Sequence, residues 1–88
     1  MIKVYSKPAC AQCNATYLAL DKAGVTYEVF DVTKDENAMN RVIELGFFQA
    51  PVVEAGERSW SGFRPDLIQK VAAEVPILST PQNTFVNA

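Results

Sequence analysis

The chain has 88 residues, 49% of them apolar and 20% charged, with a formal net charge of −2 and no histidine. That length holds one domain, and the apolar share supplies a core without disulfide staples or a structural metal. The eight Lys and Arg are scattered, which argues against nucleic acid and against an anionic membrane surface as partners. The missing histidine removes Cys-His proteases, Ser-His triads, His-ligated zinc and histidine general bases.

The first strand is predicted over Ile2 to Tyr5, and Ser6-Lys7-Pro8-Ala9 is a short loop. A helix follows from Cys10 or Ala11 to Ala23, stopped by Gly24. On a helical wheel Cys13, Thr16, Tyr17, Leu20 and Ala23 make one stripe, and Leu18 falls outside it. Val25 to Val32, rich in β-branched and aromatic residues, reads as a second strand. Thr33-Lys34-Asp35-Glu36 has the form of a capping box with Thr33 as the cap. The helix it starts runs to Leu45, with Ala38, Met39, Val42 and Leu45 inward and Gly46 at its end.

Phe47 to Ala50 is a loop leading to Pro51, and Phe47 and Phe48 are expected to pack under it, one of them at the surface. Val52-Val53-Glu54 and Arg58-Ser59-Trp60 flank Ala55-Gly56-Glu57, a hairpin signal. Ser61 to Arg64 is a second loop, and Pro65 suits the first position of a last helix. Leu67, Ile68, Val71, Ala72 and Val75 give that helix its apolar face, and Pro76 ends it. The domain is thus expected over residues 1–76, with a flexible tail over 77–88 that is polar from Ser79 on.

Two cysteines stand three residues apart, Cys10-Ala11-Gln12-Cys13. The opening residues carry no apolar run of signal-peptide form, and no stretch approaches the roughly 20 apolar residues of a membrane span. The cytoplasm is therefore the expected compartment, where such a pair is catalytic or metal-binding rather than a staple. Helix positions i and i+3 are neighbours, so a small adjustment of the first turn closes a disulfide. Cys10 sits where a loop meets a helix. Unpaired N–H groups and the helix dipole favour an anion there, and Lys7 adds a nearby positive charge. Cys13 lies one turn inside, on the core-facing stripe. Cys10 is therefore the expected nucleophile and Cys13 the resolving thiol. A zinc site needs four ligands, and two thiols without imidazole do not supply them. A cluster shared across a dimer stays open as a rival, and no other cofactor is implied.

The order β-α-β-α-β-β-α predicts an α/β domain with a four-stranded mixed sheet flanked by three helices, because the first β-α-β must be parallel and the last two strands form a hairpin. This order resembles the thioredoxin fold in its minimal, glutaredoxin-sized form. Thioredoxin-fold proteins place a cis-proline loop beside their cysteines. The resemblance assigns that role to Ala50-Pro51-Val52, where the residues alone allow an ordinary proline at a strand start. A loop of this kind exposes backbone groups that can pair with a partner's chain.

Lys7 to Cys13, the Ala50-Pro51-Val52 step and Trp60-Ser61-Gly62-Phe63-Arg64-Pro65-Asp66 together resemble the NrdH redoxins, over residues 1 to about 75. The resemblance implies an electron carrier. It would reduce class Ib ribonucleotide reductase and be reduced in turn by thioredoxin reductase. Lys7 and Gln12 would then belong to the active-site loop, and Trp60 to Asp66 to the family motif. Ala11 stands where the family often carries a larger apolar residue. Ordinary glutaredoxins, the alternative, hold glutathione with a Gly-Gly-acidic segment. Ser61-Gly62-Phe63-Arg64 in its place argues against that ligand. Trp60 and Phe63 are either core aromatics or a docking surface near the thiols. Arg64 and Asp66 have a plainer reading as helix-start charges.

Overall fold

The computed structural model describes residues 2–74, so the expectations for Val75, Pro76 and the tail over 77–88 lie outside the described residues. The elements are β1 (Ile2–Ser6), α1 (Ala11–Ala23), β2 (Tyr27–Asp31), α2 (Glu36–Leu45), β3 (Val52–Ala55), β4 (Arg58–Ser61) and α3 (Pro65–Glu74). The sheet order is β2-β1-β3-β4. β1 and β2 are parallel, while β1 with β3 and β3 with β4 are antiparallel. This is the β-α-β-α-β-β-α order and mixed sheet expected from the sequence.

Strand alternation divides the core in two. Ile2, Val4 and Val53 turn to one face, where Leu20 of α1, Trp60 of β4 and Ile68 and Val71 of α3 close over them. Tyr5 and Val52 turn to the other, against Ala38 and Val42 of α2. Val4 and Val53 are paired residues of the two central strands, and both are fully buried. α1 and α3 therefore share one face and α2 covers the other. On α1 the stripe is as predicted: Cys13, Thr16 and Leu20 are buried, Tyr17 and Ala23 are partly so, and Leu18 is 64% exposed.

Four local expectations are corrected. β2 begins at Tyr27 rather than Val25, because the Val25 N–H donates to the Leu20 carbonyl at 3.3 Å and so serves the end of α1. Thr33 does not cap α2. The Asp31 carboxylate accepts both the Thr33 N–H at 2.8 Å and its hydroxyl at 2.5 Å, forming a local turn. Asp35, with extended backbone, caps instead, accepting the Ala38 N–H at 3.1 Å. Met39 faces outward, 43% exposed. Ser61 closes β4, paired with Val52, rather than opening a loop.

A polar network holds α2 to the sheet. The Tyr5 hydroxyl donates to Glu54 Oε1 at 3.0 Å, and the Arg41 guanidinium donates to both Glu54 oxygens and to Glu44. The Arg41 hydrogen bonds hold the Glu54 carboxyl below its ordinary value. Burial, reinforced by Glu54, pushes the Tyr5 hydroxyl up to about 12.

Candidate functional site

Cys10 is the N-cap of α1, with φ −120° and ψ 102°. The chain reaches it through Ala9, whose φ of 55° lies in the left-handed region that a side chain disfavours. Cys10 and Cys13 are joined in a disulfide, with Cα atoms 5.2 Å apart. Cys10 Sγ also accepts the Cys13 N–H at 3.1 Å. The two sulfurs are unequal: Cys13 is 1% exposed, whereas Cys10 is half-buried at the surface. The helix end and the Cys13 N–H both favour negative charge on Cys10 once the bond is reduced. This is a redox-active pair with an accessible sulfur and a shielded one.

Two remote segments meet the redox turn. The Ala50–Pro51 peptide bond is cis, and Pro51 and Val52 are buried while Ala50 is half-buried. The Gly62 N–H donates to the Pro51 carbonyl at 2.8 Å, and the Ser61 hydroxyl donates to the Gln49 carbonyl at 2.8 Å. The Phe63 N–H donates to the side-chain oxygen of Gln12 at 3.0 Å. The segments 10–13, 49–52 and 61–63 are thus stitched into one surface.

The segment from Trp60 to Asp66 is divided by this arrangement. Trp60 is core, 4% exposed, with its indole N–H buried and without an acceptor among the described residues. Phe63 is 37% exposed beside the redox turn. Arg64 forms a two-point pair with Asp66, at 3.2 and 3.1 Å, and its carbonyl accepts the Ile68 N–H at the start of α3, where Pro65 is the first residue. That pair holds the exposed Asp66 carboxyl below its ordinary value.

A groove of about 860 Å³ runs from Cys10 between α2 and the proline loop. Lys7, Met39, Ile43 and Phe48 line it together with Cys10. Phe48 is 92% exposed, while Phe47 packs into the second core cluster. Met39 and Ile43 were not read as site residues from the sequence. Their signal was present: one turn apart, they widen the apolar face of α2 beyond what the sheet can cover.

The family model for glutaredoxin matches residues 2–60. The glutaredoxin-like protein NrdH of Escherichia coli strain K12 is 41% identical over 70 residues, covering 80% of this chain and 86% of that protein. The NrdH protein of Lactococcus lactis subsp. lactis is 33% identical over 72 residues, covering 82% of this chain and all of that protein. The solved structure of the Escherichia coli NrdH-redoxin, described as having a thioredoxin-like activity profile, superposes with a TM-score of 0.75 at 42% identity. It covers 78% of this chain and 91% of that one. With a Cys-X-X-Cys pair at disulfide distance, a cis-proline beside it and these relatives along most of its length, the chain belongs to the glutaredoxin family, in its NrdH branch of glutaredoxin-like redox proteins.

Proposed function

We propose that this protein is a cytoplasmic carrier of two electrons that reduces a disulfide in the catalytic subunit of class Ib ribonucleotide reductase and is itself reduced by thioredoxin reductase. The Cys10 thiolate attacks one sulfur of the partner's disulfide. A Cys10–partner bond forms, and the other partner sulfur leaves as a thiolate that takes up a proton. Cys13 then loses its proton and attacks Cys10 Sγ, which releases the second partner thiol and closes the Cys10–Cys13 disulfide. Two electrons pass to the partner, and NADPH restores them through the reductase. Lys7 supports the thiolate. Ala50-Pro51-Val52 offers main-chain groups to the partner's chain, and Phe63 a contact surface.

The observation that carries this reading is the loop from Gly62 to Arg64. Where a glutathione site needs small or acidic residues, it sets an exposed Phe63 and an Arg64 already paired with Asp66. The test compares electron sources for the oxidised protein. NADPH with thioredoxin reductase is expected to reduce it faster than reduced glutathione with glutathione reductase. The opposite order would establish a glutathione-dependent glutaredoxin instead. Visible absorbance from iron and sulfide in a purified dimer would point to the cluster-binding alternative.

A further inference from the structure

Gln12 is an exposed residue between the two cysteines, yet its side chain does not simply face solvent. Its amide oxygen accepts the Phe63 N–H at 3.0 Å, across 51 residues of sequence. The same oxygen explains Gly62 a second time. Gly62 has φ 88°, which already favours glycine, and a Cβ built there would stand 3.3 Å from Gln12 Oε1. A side chain at Gly62 would therefore crowd the Gln12 amide oxygen, which would have to give by a few tenths of an ångström. The Gly62 N–H is simultaneously tied to the Pro51 carbonyl at 2.8 Å. Two neighbouring amides of one loop are thus held from two sides, one by the redox helix and one by the cis-proline step.

We propose that Gln12 is a positioning residue: its side-chain oxygen holds the Gly62–Phe63 backbone against the redox helix and so fixes the surface that a protein disulfide meets. This rests on the reading of the chain as a protein-disulfide reductant and names a residue that sets its selectivity. Gln12 takes no part in thiol exchange. The Gln12 backbone carbonyl separately accepts the Thr16 hydroxyl at 2.8 Å. Without the Gln12 side-chain acceptor Phe63 keeps the Pro51 tether one residue away but loses its own, and the loop that carries its exposed ring is no longer fixed to the redox turn.

The test uses the full chain, reduced with dithiothreitol and desalted, and two probes: insulin as a protein disulfide and dithiodipyridine as a small neutral one. High salt screens added charge. The ratio of the two rates cancels changes in the thiol itself. Gln12→Met, equal in length but lacking the acceptor, is expected to lower the insulin-to-dithiodipyridine ratio about three- to tenfold, the range one net hydrogen bond commands. It is also expected to speed hydrogen exchange at the Phe63 amide. Gln12→Glu keeps the acceptor and is expected to hold the ratio near the parent's. An unchanged ratio in Gln12→Met or an equal fall in both variants would overturn the proposal, whereas a parent chain that leaves insulin unreduced would overturn the disulfide-reductant reading on which it rests. Because the electrons come from a chemical reductant, failure of the thioredoxin reductase reading appears only in the coupled assay and failure of this one only in the ratio.

Discussion

At the level of single residues, the chemistry turns on the difference between two sulfurs three positions apart. Cys10 is accessible and caps a helix, while Cys13 is enclosed by the core. Cys10→Ser is expected to lower protein-disulfide reduction at least about a thousandfold, the scale on which loss of a covalent nucleophile falls. Cys13→Ser should still attack once and then stall, and mass spectrometry under non-reducing conditions should find it bonded to its substrate. Equal loss in both variants with no trapped adduct would overturn the role assignment. This asymmetry was legible in the sequence because one turn of amphipathic helix settles which cysteine faces inward. The contact between Gln12 and Phe63 was not, since a bond across 51 residues leaves no local pattern.

Among the elements, α2 shows how neighbouring polar residues compete for one role. Thr33 and Asp35 both have capping side chains, and the sequence pattern favours Thr33. Asp31 decides otherwise by accepting two hydrogen bonds from Thr33, which leaves Asp35 to cap. Asp35→Ala is therefore expected to destabilise the fold by about 1 kcal/mol, which for a domain of this size lowers the melting midpoint by roughly 4–8 °C. Thr33→Val removes only an exposed hydrogen bond and should cost less than about 0.5 kcal/mol. Thermal unfolding of the two variants side by side checks the assignment, and the reverse ranking would restore Thr33 as the cap. Gly46 closes the same helix with φ 86° and open space around it. Gly46→Ala should therefore destabilise by about 1 kcal/mol through backbone strain alone.

For the molecule as a whole, stability should fall at both ends of the pH scale for separate reasons. Glu54 has its carboxyl lowered by Arg41, so its contribution is present above the ordinary carboxylate range and is lost as pH falls through the lowered value. Tyr5 and Tyr27 are raised from 10.0 to about 12, chiefly by burial and then by hydrogen bonds to Glu54 and Asp21. The folded state keeps these hydroxyls neutral while the unfolded chain ionises them. Their contribution is whole below pH 10 and is lost between pH 10 and about 12. Urea midpoints of the oxidised protein, in which the cysteines do not titrate, should drop across that window, and Tyr27→Phe should flatten the drop. A midpoint constant from pH 9 to pH 12 would contradict the buried-phenol account.

The sequence by itself determined the element order, the mixed sheet and the unequal cysteines, because strand alternation, helical periodicity and helix-end chemistry act over a few residues. It also singled out residues 60–66, through a resemblance that spacing alone could not supply. Only the tertiary structure decided where those residues lie. It buried Trp60 beneath α1 and α3, left Phe63 at the surface, and paired Arg64 with Asp66. It brought Pro51 and Phe63 to the redox turn and made the apolar groove beside Cys10. The physical reason is range. A side chain's burial and its distant hydrogen-bond partner depend on which strands become neighbours, and the order β2-β1-β3-β4 exists only once the chain has folded.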